Sequence, residues 1–111
     1  MTTYRCYFIQ KNGFPAAWRA FESKSDEEAH DHALGLLVAF PHAERVEVWD
    51  EARLALDYSR SAMQTPAELR RLCYLAIAAA KKEADPKIRQ IIASCAARIA
   101  QDAEALARNA N

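Results

Sequence analysis

Two apolar periods follow one another along this chain, and the change from one to the other divides it near residue 60. In "TYRCYFIQ", residues 3 to 10, Tyr4, Cys6 and Phe8 alternate with Arg5, Tyr7 and Ile9. That period of two sends successive side chains to opposite faces of a strand. "KNGF" comes next, and its Asn12-Gly13 pair tolerates positive φ, so it predicts a hairpin leading to a second strand over about Ala16 to Glu22. Ser25 and Glu28 form a capping box that predicts a helix ending near Phe40, because Pro41 cannot continue it. Ala29, Ala33, Leu36, Leu37 and Phe40 then form one apolar stripe facing a sheet. "AERVEVWD" and "RLALDYS" read as third and fourth strands, joined by a tight turn at Asp50, Glu51 and Ala52. The unit is ββαββ. A helix crossing between two hairpins predicts a four-stranded antiparallel sheet of order 2-1-3-4, with one face covered by that helix.

Beyond this unit the period lengthens to that of a helix. "SRSAMQ", residues 59 to 64, reads as a linker. Thr65-Pro66 with Glu68 is a second cap-plus-proline start, predicting a helix to about Ala84 with Leu69, Leu72, Cys73, Ala76, Ile77 and Ala80 on one side. Asp85-Pro86 breaks and restarts the chain. The last helix carries Ile88, Ile92, Cys95, Ile99 and Leu106 at four- and three-residue steps, interrupted at Asp102. The predicted class is therefore α+β: a sheet unit over residues 1–60 and an antiparallel αα-hairpin over 61–111. Ile91, Ala96, Ala100, Ala103 and Ala107 widen the apolar arc of the last helix, and Tyr74 and Leu75 do the same on its partner. Either the open face of the sheet or a second copy of the chain is expected to cover that surplus.

Composition narrows the function without naming it. Across 111 residues, 51% are hydrophobic and 27% charged, a globular balance. Lys plus Arg equals Asp plus Glu at 15 each, so no net field draws in a polyanion, which argues against nucleic acid as the default partner. The start "MTTYRCYFIQ" has no basic region leading into an apolar run, predicting no signal peptide, and no stretch is long enough to suggest a membrane span. Cys6, Cys73 and Cys95 show no C-x-x-C spacing and are expected to be reduced thiols in a cytoplasmic protein.

The candidate chemistry is sparse. His30 and His32 sit among carboxylates in "EEAHDHALGLL", but residues two apart diverge by roughly 200° around a helix and cannot meet at one metal ion. They are expected to flank the apolar stripe, one on each side. None of the serines stands in a G-x-S-x-G elbow, and Gly13 and Gly35 are too isolated to form a phosphate-cradling loop. Asp26, Glu27 and Glu28 suit a helix start, and Lys81 and Lys82 a helix end. No catalytic residue, metal ligand or cofactor is predicted.

"YRCYFIQ", "SDEEAHDHALGLL" and "VEVWDEARLAL" together resemble a family of short uncharacterised bacterial proteins built as strand, strand, helix, strand, strand, over about residues 3 to 58. That resemblance implies the fold and carries no activity. The segment from Glu68 to Ala107 is similar to helix, D-P, helix hairpins at the ends of small bacterial proteins. A weaker similarity links the first half to HicB-type antitoxin domains, from which this chain departs by its fourth strand and helical tail.

The expected function is a non-catalytic, self-associating protein-interaction module, a homodimer that also binds another protein. Tyr7, Trp49, Ile88, Ile92 and Ile99 are the expected interface anchors, since aromatic and large apolar side chains carry most interface energy. Two alternatives remain. One is an antitoxin-like regulator using Arg70, Arg71, Lys81, Lys82 and Arg89 on nucleic acid; the other is a small-molecule pocket between sheet and hairpin.

Overall fold

The computed structural model describes residues 1–60 and 65–109, so the predicted linker falls, from residue 61 onward, outside the described residues. Strands β1 (Thr2–Ile9) and β2 (Pro15–Ser23) precede helix α1 (Asp26–Leu37), strands β3 (Arg45–Asp50) and β4 (Arg53–Ser59), and helices α2 (Pro66–Lys82) and α3 (Pro86–Asn109). The four strands form one antiparallel sheet of order β2-β1-β3-β4. The predicted class and strand order are those observed.

Local chemistry accounts for each junction. In the first hairpin Gly13 takes φ +88°, and its N–H donates to the Gln10 carbonyl at 2.9 Å while Phe14 N–H donates to Asn12 Oδ1 at 3.0 Å. The β3–β4 turn is closed by Glu51 at φ +54°, a left-handed position that glycine fills more easily. Helix α1 starts as its sequence dictates, with Ser25 Oγ accepting from Glu28 N–H at 3.1 Å. Its first turn is pinned to the sheet. Tyr4 donates its hydroxyl to Asp26 Oδ1 at 2.7 Å, and Arg53 grips the same carboxylate with two bonds of 2.9 Å.

Helix α1 ends at Leu37, three residues before the position expected from Pro41. Pro41 has no N–H to give the Leu37 carbonyl, and the last turn tightens, with Ala39 and Phe40 N–H donating to the Leu36 and Leu37 carbonyls. The Arg60 guanidinium then donates to the carbonyls of Leu37, Phe40 and Ala43 at 2.8 to 2.9 Å, satisfying groups left at this helix end. Helix α2 starts at its Thr65 cap with Pro66 in the first turn, and stops at Lys82, two residues short of Ala84. In α3 the apolar pattern is interrupted at Asp102, which is exposed, while the helix itself runs on for 24 residues.

One core runs through all of this. Tyr4, Cys6, Phe8, Val46 and Val48 meet Ala29, Ala33, Leu36 and Leu37 of α1, and the same cluster continues into Leu72, Ala76, Ala79, Ile92 and Ala96 of the helical hairpin. Within the chain, the open face of the sheet is not what covers the hairpin. The hairpin packs against the back of α1, leaving that helix as a middle layer buried on both sides. Gly35 permits the contact: a Cβ there would press on the Leu75 carbonyl and lie 2.8 Å from Ala79 Cβ, so the α1 backbone touches α2 directly. Arg71–Asp31 at 3.3 Å and Lys82–Glu28 at 3.5 Å tie the seam at its surface, where such pairs add little.

Candidate interaction surface

With α1 and the hairpin stacked on one side, no helix among the described residues lies over the other face of the sheet. Register decides what that face displays. Trp18 pairs with Tyr7, Tyr7 with Glu47, and Glu47 with Asp57, forming one row across all four strands. The adjacent row runs Ala20, Arg5, Trp49, Leu54. Antiparallel sheets with one wet face usually alternate apolar inward and polar outward; here the outward set includes two tryptophans and a tyrosine. Trp18 is 58% exposed and Leu54 43%, while Tyr7 and Trp49 are half-buried by their neighbours. Trp18 could not be assigned a face from its sequence, because the alanines around it show no contrast between the two sides.

The charges on this face are organised. Arg45 donates to Glu47 and, at 3.4 Å, to Asp57, and the Glu47 hydrogen bond pushes the Arg45 pKa up. Trp49 Nε1–H donates to Glu47 Oε1 at 3.3 Å, fixing the indole against the sheet. Arg5, between Ala20 and Trp49, is exposed and has no charged partner among the described residues.

The hairpin residues expected as anchors occupy different places. Ile92 is 0% exposed and belongs to the core, so a substitution there reports on folding before it reports on any interface. Ile88 and Ile99 are partly buried against the same core. The apolar side chains that α2 and α3 present outward are instead Tyr74, Ile77, Ile91 and Leu106.

The titratable residues form no reactive constellation. His30 and His32 lie on opposite flanks of α1, as their spacing implies: the His30 ring sits 6.3 Å from Tyr58 of β4, and the His32 ring meets Phe21 of β2 edge-on at 4.6 Å. Among the described residues no three His, Cys, Asp or Glu side chains are grouped to hold a metal ion. Burial pushes the Cys6 thiol up to about 12, leaving it without thiolate character at neutral pH. Of the basic residues expected to meet nucleic acid, Arg71 and Lys82 are paired to Asp31 and Glu28, and Arg89 donates to the Glu83 carbonyl at 3.3 Å. A cleft of 410 Å³ opens between α1 and α2, lined in part by Glu28, Asp31, His32 and Lys82, with Leu75 and Ala79 as its floor. Two of its carboxylates are therefore already taken by those ion pairs. No described helix is long and apolar enough to cross a membrane.

No family model matches the chain, and neither a curated protein nor a solved structure is similar to it.

Proposed function

We propose that this protein is a non-catalytic interaction module that pairs with a second copy of itself through the open face of its sheet, forming a cytoplasmic homodimer. The observation that carries this reading is the outward surface of Trp18, Tyr7, Trp49 and Leu54, aromatic apart from the leucine, which no described helix covers. The pattern on that face suits a two-fold contact. An axis running along the strands between β1 and β3 exchanges β1 with β3 and β2 with β4. It sets Arg5 over Trp49 of the second copy, a cation against an indole, and it sets the Tyr7 hydroxyl over Glu47 and the Trp18 N–H toward Asp57. Each contact occurs twice.

Three free thiols, one of them deep in the core, agree with a reducing compartment. The resemblance to short bacterial ββαββ proteins belongs to the same reading. Light scattering across a dilution series tests it: the native chain should show a dimer mass, while Trp18→Ser and Arg5→Glu should show a monomer mass with unchanged helical and strand content. A native chain that stays monomeric at high concentration overturns the proposal.

A further inference from the structure

Of the three cysteines, Cys6 lies in the sheet and the other two in the hairpin, with α1 between them as the middle layer. Cys6 is 0% exposed on the inner face of β1, so neither hairpin thiol reaches it. Cys73 and Cys95 are brought together instead. Cys73 stands nine residues before Lys82, the end of α2, and Cys95 nine residues after Pro86, the start of α3. In an antiparallel hairpin joined by Glu83, Ala84 and Asp85 alone, equal steps from the turn put two residues level with one another. Contact at that level is direct: the Cys73 thiol donates to the Ala96 carbonyl at 3.3 Å, on the residue next to Cys95.

The surroundings suit a bond across the seam. Ala76 and Ala80 of α2 and Ala96 of α3 are buried, and side chains this small hold helix axes at the short end of the roughly 8–10 Å range. Level Cα atoms then fall within the spacing of about 4.4–6.8 Å that a disulfide spans. Both thiols are half-buried against the core, but Cys95 also lines a surface depression of 410 Å³ with Lys87, Gln90, Ile91 and Ser94. A small oxidant therefore enters at Cys95, with Lys87 on the wall and Arg60 near enough to interact electrostatically. Cys73, its thiol against the Ala96 carbonyl, is placed to resolve what forms there.

We propose that Cys73 and Cys95 are an oxidation-sensitive pair that closes a disulfide between α2 and α3 when the chain meets a low-molecular-weight disulfide such as oxidised glutathione. The Cys95 thiolate attacks one sulfur of the small disulfide, forming a mixed disulfide and releasing a thiolate that takes up a proton. The Cys73 thiol then loses its proton to water, and its sulfur attacks Cys95 Sγ and expels the second small thiol. Two protein thiols are oxidised, and one small disulfide is reduced to two thiols. The chain rests reduced and staples its hairpin when the surrounding thiol pool turns oxidising. Because the pair lies across α1 from the sheet, this behaviour is independent of self-association through the open face.

Incubation of the full chain in glutathione redox buffers at neutral pH, followed by acid quench and tryptic mapping, tests the pair. Residues 72–81 should be recovered joined to residues 90–98, with the mass lowered by two hydrogens. The ratio of linked chain to glutathione mixed disulfide should be about thirtyfold higher in native buffer than in urea, the low end of what a well-fitted disulfide adds to a fold. Cys73→Ser should stop at the mixed disulfide on Cys95, and Cys95→Ser should stay largely unmodified. The proposal is overturned if linkage is no more favourable in the folded chain than in urea, a comparison that needs no substitution. It is equally overturned if Cys6 appears in the linked product, if the link joins two chains, or if Cys95→Ser reacts as fast as the native chain.

Discussion

The two faces of the sheet are built from alternate residues of the same strands, yet they solve the problem of apolar surface differently. On the inner face Cys6, Phe8, Val46 and Val48 are 1% exposed or less, and Phe8 stacks on Phe40 with ring centres 4.3 Å apart. On the outer face, Tyr7 and Trp49 are shielded only by their strand neighbours and by the Arg45–Glu47–Asp57 charges beside them. The inner face mixes aliphatic and aromatic side chains that are closely fitted, and it lies under a helix. The outer face consists of wide aromatic rings with polar edges, which can stand in water or against a second surface. Apolar content alone does not separate a core from an interface; polar edges and paired charges do.

Truncation should separate the faces most sharply. Phe8→Ala is expected to lose ~4 kcal/mol in urea unfolding, the usual cost of a cavity left by an aromatic ring. Tyr7→Ala, one residue away, should stay within about 1 kcal/mol and act on association instead. Equal losses at both positions would erase the distinction. Next in size is Gly35→Ala, expected to cost ~3 kcal/mol because the added methyl meets backbone that cannot rotate away. That loss tests whether the inner side depends on its second helical layer as well as on α1.

The smallest effect concerns the rim where α1 is clamped to the inner face. Hydrogen bonds from Arg53 and then Tyr4 hold the Asp26 carboxyl at about 2, well under the ordinary carboxylate value. A depressed acid stabilises the fold above its unfolded value, near 4, and that contribution is lost as pH falls from there toward 2. Arg53→Met should weaken this acid dependence, as read from thermal midpoints between pH 5 and 2. An unchanged profile would show that the clamp holds α1 in place without contributing to stability.

Much of this architecture could be read from punctuation. Asn12-Gly13, Ser25 with Glu28, Thr65-Pro66 and Asp85-Pro86 mark the junctions where the elements turn or begin, since each residue satisfies a local backbone demand. What escaped the reading depends on distant partners. The carbonyls at the end of α1 are satisfied by Arg60, more than twenty residues away. The place of the hairpin was signalled by "ALGLLV", where Leu34 and Gly35 widen a one-sided stripe into a continuous apolar run over the second half of the helix, the mark of a segment with neighbours on both faces. The open face was legible from the strand alternation at Tyr7 and Trp49, whereas the exposed position of Trp18 needed the register itself.

The doubly covered α1 also sets an order of events during synthesis. Its sheet-facing partners in β1 to β4 are complete by residue 59, but the helix that covers its back lies later, over Pro66–Lys82, and is itself backed by Ile92. At roughly 5–20 residues per second, and with folding proceeding from the N-terminus, the nascent ββαββ unit spends a few seconds with Leu34 and Gly35 bare. In that interval the groove beside Gly35 is open to any small-residue helix that arrives first. Gly35 therefore does more than allow close packing: it reserves the back of α1 for a helix that is synthesised later.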